Sequence, residues 1–286
     1  MKVTRIINNN VIAAVDEQNH ELVLMGSGIG FQQKIGDEVD PARVEKRFTR
    51  FDENQVLNFQ RLAREIPYEY MHMTNEIVSY AQLSLNKELD ENLYIALMDH
   101  LNFAINRIKQ GIALPNSMLW EIKHYYNHEY RIGTEAIAII KRYTGVEMPM
   151  DEAGFIAMHI LNSELDLDME RSKVMTKIIQ DALNIVKYHF NITIEEESLD
   201  YERFVTHLKF FIQRAMHEKE SRIWEQSLMD LIRIQYMDAY ECAGKVAAYI
   251  ERTTSYVVLE EEMVYLTVHI QRLQKASKRV GEDGNS

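Results

Sequence analysis

Two stretches of this chain repeat two others, and each repeat carries a histidine in the same place. MDHLNFAINR around His100 returns as VTHLKFFIQR around His207, and EAGFIAMHI at His159 returns as EMVYLTVHI at His269. The two histidines are 59 residues apart in the first copy and 62 in the second. A third anchor lies between them. Tyr126, Tyr130, Ile140 and Arg142 match Tyr236, Tyr240, Ile250 and Arg252 at a constant offset of 110. A chain built this way must fold most of its length as two versions of one module, each with paired histidines. Histidines kept in pairs point to places where something is done to the protein, and to a module that senses it.

Composition narrows what that something is. At 286 residues the chain has room for two or three domains, and its 46% hydrophobic content is ordinary for globular material. No apolar run approaches the eighteen or so residues of a membrane span, and MKVTRIINNNV lacks the apolar core of a signal peptide. Cys242 is the single cysteine, so no internal disulfide forms and a reducing cytoplasm is expected. The net charge of −12 argues against nucleic-acid binding by the whole chain. The acid is unevenly placed, however. Residues 1–50 carry seven basic and seven acidic side chains, and the remainder carries the entire −12. A small RNA-binding head is compatible with that distribution.

The pattern predicts an α+β multidomain chain. VTRII, VIAAV and ELVLM are short β-type runs, separated by Asn8-Asn9-Asn10 and by residues 16–20, and VEKRFTR supplies a fourth strand. Four short strands make a small antiparallel sheet with too little core to stand alone. A homodimer that packs two sheets together is the natural remedy. From about residue 60 the spacing turns helical. The first helix stops before Pro67, NLYIALMDHLNFAINRIKQG ends at Gly111, IGTEAIAIIKRYTG ends at Gly145, and DEAGFIAMHILNSEL starts at an acidic cap. The charged stretch SELDLDMERSK reads as the junction between copies. The expected boundaries are a head at 1–56, all-α bundles at 65–170 and 171–277, and a disordered tail at 278–286.

On a helix, His100, Phe103 and Arg107 share one stripe, as do His207, Phe210 and Arg214. The adjoining stripes (Leu101, Ile105, Ile108; Leu208, Ile212) are apolar and face a core. Each histidine is therefore expected at the edge of the buried face, reachable by another protein, with a guanidinium two turns away. The plain alternative is a boundary histidine that duplication merely copied. It is the reading given to His20, His72, His124, His128, His189 and His217, which have no counterparts. A metal site finds little support: His124 and His128 stand four apart, but Lys123 and Glu129 complete no ligand set. Neither is an enzyme indicated. Asp99-His100 reads as an acid–base pair, yet helix neighbours point about 100° apart, Thr206 replaces Asp99 in the second copy, and no phosphate loop or G-x-S-x-G is present.

The stretch from MKVTRIINNNVIAAV through MGSGIGF to VEKRF resembles the co-antiterminator RNA-binding domain of the BglG/SacY/LicT family of transcriptional antiterminators. The two helical copies resemble that family's phosphotransferase-system regulation domains, in order and over nearly the whole chain, and the match is nearest to LicT-type β-glucoside antiterminators. The resemblance implies a dimeric head that binds a leader-mRNA hairpin and so prevents an overlapping terminator hairpin from forming. It implies phosphorylation at His100, His159, His207 and His269. The sugar-specific permease would phosphorylate the first domain and inhibit. The phosphocarrier HPr would phosphorylate the second and activate. No cofactor or metal is implied.

The head's residues suit that role on their own chemistry. RNA loops are read by splayed bases stacked on aromatic rings and bonded at their edges. Asn8 and Asn10 offer donor and acceptor together, Gly26 lets backbone approach closely, Phe31 is the stacking ring and Arg5 a phosphate contact. A plain turn and a small core ring are the ordinary readings of the asparagines and of Phe31. Ser27 stands where LicT-like proteins can carry arginine, so it can bond RNA but brings no charge. Arg107, Arg214 and Arg272 are candidates to clamp phosphohistidines. The alternative function is a DNA-binding activator carrying the same regulation domains, although a helix-turn-helix would be expected at its head.

Overall fold

The computed structural model describes residues 1–49, 53–196, 198–216, 226–254 and 256–283. Arg50, the last residue of the expected fourth strand, and His217 lie outside the described residues. The chain opens with four strands, β1 (Lys2–Asn8), β2 (Val11–Val15), β3 (Glu21–Met25) and β4 (Lys46–Phe48), in a sheet of order β1-β2-β3-β4. Every pairing is antiparallel, with Ile6 opposite Ile12, Ala13 opposite Val23 and Val23 opposite Phe48. Eleven helices follow among the described residues: α1 (Glu53–Glu65), α2 (Tyr68–Leu85), α3 (Asn92–Lys109), α4 (Leu119–Tyr125), α5 (Asn127–Thr144), α6 (Met150–Leu165), α7 (Met169–Phe190), α8 (Leu199–Met216), α9 (Gln226–Gln235), α10 (Met237–Thr254) and α11 (Glu260–Asp283). The duplication is visible in this order, with α2–α6 answered by α7–α11.

Because side chains alternate along a strand, the sheet has two apolar faces. Val3, Ile12, Ala14, Leu22 and Leu24 line one, closed by Ile29 and Val39. Ile7, Val11, Val23, Met25 and Phe48 line the other. The chain covers this second face itself, so the small sheet gains core within one copy. Val56, Phe59, Leu62 and Ala63 of α1 pack on it. Phe48, Phe59 and Tyr94 meet with ring centroids 4.9–6.0 Å apart. The buried Tyr94 hydroxyl donates to Met71 O at 2.8 Å, so its polar end is satisfied. Two-sided burial also explains why VIAAV and LVLM are continuous apolar runs rather than alternating ones.

By packing, the chain divides into two units. Residues 1–119 and 128–167 form one, and residues 120–127 with those from 168 onward form the other. The sheet shares a single core with the first helical set. Residues 120–127, which include most of α4, pack with the second unit, a feature the sequence reading lacks. Within that unit Tyr126 shares a buried 2.9 Å hydrogen bond with Thr176. The junction is shorter than the charged stretch suggests, because α6 runs to Leu165 and Asp168 already caps α7 by accepting from Arg171 N. At the other end α11 continues to Asp283, into the stretch expected as tail, of which 284–286 lie outside the described residues. No helix among the described residues is long and apolar enough to cross a membrane.

The seat of α6 depends on one glycine. A Cβ added at Gly133 of α5 would stand 2.1 Å from Ala153 O of α6. Gly133→Ala is therefore expected to lower stability by about 2 kcal/mol, read as a lower urea midpoint for the full chain. An unchanged midpoint would contradict this packing of α5 on α6.

Candidate functional site

In each unit the two repeat histidines come from helices distant in sequence and meet ring to ring. His100 of α3 and His159 of α6 have centroids 5.0 Å apart. His207 of α8 and His269 of α11 have centroids 4.1 Å apart. The first member of each pair is partly exposed, with 17% of the His100 side chain accessible. The second members lie deeper. Burial, then the neighbouring His100, holds the proton affinity of His159 down to a pKa of about 4. Burial, then His207, Arg272 and Arg203, holds His269 down to about 4 as well. Both rings are therefore neutral at physiological pH, with a lone pair on one nitrogen, the form in which an imidazole acts as a nucleophile.

The surroundings of the two pairs differ. In the first unit Glu152 of α6 is fully buried, and its carboxylate sits between two partners. One oxygen accepts from Arg107, and the other lies 3.2 Å from His100 Nε2. Arg107 is not the free guanidinium that the stripe suggested: it is 8% exposed and paired to Glu152, with its carbon 5.5 Å from the Phe103 ring centre. In the second unit His207 Nδ1 hydrogen-bonds the Tyr265 hydroxyl. Tyr265 answers Phe155 of the first copy, which has no hydroxyl. Arg214 lies 3.9 Å from the buried Glu262. The exposed Arg272 has no hydrogen bond or ion pair among the described residues, and after burial Arg214, Arg272 and Arg203 lower the proton affinity of His207.

Glu152, Glu262, Tyr265 and Arg203 escaped the sequence reading. A signal for the glutamates was present, since each heads its repeat, seven residues before the histidine, and so falls on the same helical face. Among the described residues no group of three or more His, Cys, Asp or Glu is placed to hold a metal ion.

At the head, the β1–β2 turn and the loop after β3 build one surface. Asn10 N donates to Asn8 Oδ1, Gly28 N donates to Asn10 Oδ1 at 2.9 Å, and Gly26 N donates to Asn10 O at 3.0 Å. Gly28 has a φ of +64°, and a Cβ at Gly26 would stand 1.8 Å from Arg43 O, so both positions need glycine. Phe31 projects outward, 56% exposed. Asn10, Gly26, Ser27 and Phe31 thus come together. Arg5 and Asn8 instead turn to α1: Arg5 Nη1 donates to Gln60 Oε1 at 3.0 Å and Asn8 Nδ2 to Ala63 O at 2.5 Å. Ser27 N donates to Glu45, whose carboxylate also meets Tyr68 and His72 of α2.

The buried rings make stability depend on pH. A histidine whose folded pKa lies below its usual 6.5 contributes fully above that value and loses its contribution as pH falls toward 4. Between pH 6.5 and 4 stability is expected to fall by roughly 1–3 kcal/mol per histidine for His159 and His269, read as a lower melting temperature. His159→Gln with His269→Gln is expected to flatten that part of the curve. A curve as steep as the parent's would contradict the burial of these rings.

Comparison with known proteins places these features. Residues 1–56 match the CAT RNA binding domain family, and residues 75–163 and 180–273 each match the PRD domain family. The chain is 48% identical to the transcription antiterminator LicT of Bacillus subtilis (strain 168) across 96% of this chain and 99% of that one. It is 40% identical to the beta-glucoside operon antiterminator of Dickeya chrysanthemi across 96% and 97%. The crystal structure of GlcT CAT-PRDI superposes with a TM-score of 0.52 at 34% identity, covering 57% of this chain and 96% of that one. With a CAT head and two PRD modules in that order, the chain belongs to the BglG/SacY/LicT family of transcriptional antiterminators.

Proposed function

We propose that this protein governs transcription of a sugar-utilisation operon, of the β-glucoside class, under control of histidine phosphorylation. Two heads, paired as a homodimer, bind a hairpin in the leader mRNA and hold off the overlapping terminator. The reading surface is the cluster of Asn10, Gly26, Ser27 and Phe31, and Arg5 and Asn8 join it by exchanging their bonds to α1 for RNA. His100 and His159 receive phosphate from the sugar-specific permease, which inhibits, and His207 and His269 receive it from HPr, which activates. In each transfer an imidazole nitrogen forms a bond to phosphorus as the donor's bond to phosphorus breaks. The proton the imidazole loses goes to the leaving group. The observation that carries this reading is the ring-to-ring histidine pair in both modules, its inner member held neutral by burial. The names of the relatives, antiterminators of a beta-glucoside operon among them, support the operon class. A DNA-binding activator finds less support, since the described head consists of strands and one three-residue helical turn.

The test is binding of the full chain to the leader hairpin of its own operon. Phe31→Ala is expected to weaken binding by about 5- to 150-fold, the value of one stacked base, and to leave the melting temperature unchanged because the ring is exposed. Asn10→Ala is expected to weaken it as well, by releasing the Gly28 amide. Absence of hairpin binding by the parent chain, or undiminished binding by Phe31→Ala, would overturn the assignment of this surface.

A further inference from the structure

The two modules hold their histidines in different electrostatic settings, although Glu152 and Arg107 answer Glu262 and Arg214, and the sequence difference lies in three places. In the first module the fully buried Glu152 pairs with Arg107, which ties α6 to α3, and its other oxygen lies 3.2 Å from His100 Nε2. Arg107 is the guanidinium at that site, and it is already matched one to one by Glu152. At the positions where the second module carries Arg203 and Arg272, the first carries Ala96 and Asn162. At the position of Tyr265 it carries Phe155. In the second module His207 is held by the Tyr265 hydroxyl, and three guanidinium groups act on its ring. Glu262 engages Arg214, at 3.9 Å, and Arg272 has no ion pair among the described residues.

A phosphoryl group brings about −1.5 to −2 charge and three strong acceptor oxygens. Placed on His100, that charge adds to a buried carboxylate in a medium where screening is weak. Placed on His207, it enters a positive field. We propose that Glu152 and Arg107 set the sign of the first module's response: the phosphoryl group competes with Glu152 for Arg107 and repels the carboxylate, so that α6 loosens from α3. In the second module Arg203, Arg214 and Arg272 receive the group, and α11 tightens on α8. The inference rests on the reading of these histidines as phosphoacceptors and supplies a physical origin for their opposite effects. Glu152 is a positioning residue here, because it acts through Arg107 and the helix it clasps.

The experiment uses the full chain and a carboxylate as probe. His100→Asp and His100→Asn are compared by hydrogen exchange of α6, each with and without Glu152→Gln. His100→Asp is expected to exchange at least about tenfold faster than His100→Asn, and Glu152→Gln is expected to abolish that excess. In the second module His207→Asp is expected to exchange in α11 no faster than His207→Asn, until Arg203→Ala and Arg272→Asn are added, when it becomes the faster. Equal exchange of the two His100 variants, or an excess that survives Glu152→Gln, would overturn the proposal. Should Glu152→Gln fail to fold, the arginine substitutions decide: no change in the order of the His207 variants overturns it. Hairpin binding is measured on the same samples. Loss of binding by the parent chain would overturn the proposed function, while the exchange result would still judge the electrostatic claim.

Discussion

Two imidazole rings, supplied by helices some sixty residues apart, must touch at the edge of each module's core. That contact sets the terms for everything around it. Rings this close cannot both carry a proton cheaply, and the inner one is largely desolvated, so the inner ring is held neutral. A neutral ring is poised to accept a group from a donor, and the pair is sensitive to any charge placed beside it. The helices that present the rings are in turn fixed by apolar packing, with Leu101, Ala104 and Ile105 of α3 fully buried and Ile156 and Ile160 of α6 in the same cluster.

The same helix that carries His100 also reaches the sheet. Tyr94, in the first turns of α3, packs on Phe48 of β4 and Phe59 of α1. Glu91, just before the helix, accepts from Thr49 N. At the reading surface Glu45 holds the Ser27 amide and meets Tyr68 and His72 of α2. The first module therefore shares its core, one helix and a carboxylate with the head. A loosening of α6 from α3 acts on a helix whose other end is built into the sheet, which gives a contiguous physical route from histidine to loop.

Much of this was legible before the structure. The duplication gave two helical modules, the apolar runs gave the four strands, and the repeats singled out the four histidines that the structure brings together in pairs. What escaped depends on contacts between distant segments. Arg107 sits on the histidine stripe, but its burial comes from Glu152, 45 residues away in sequence. The second face of the sheet looked short of partners because α1, read only as a helix, gave no sign of where it would pack. Residues 120–127 carry no mark in the sequence that they belong with the second unit. Helical spacing tells which face of a helix is buried, and not which element buries it.

The central claim is that the phosphorylation state of the two modules decides whether the head protects its hairpin. The most direct measurement is single-round transcription through the operon's leader terminator with full-length protein, unmodified or phosphorylated on one module at a time. The account expects read-through to rise when the second module alone is phosphorylated and to fall when the first is. Equal read-through in all three states would contradict it.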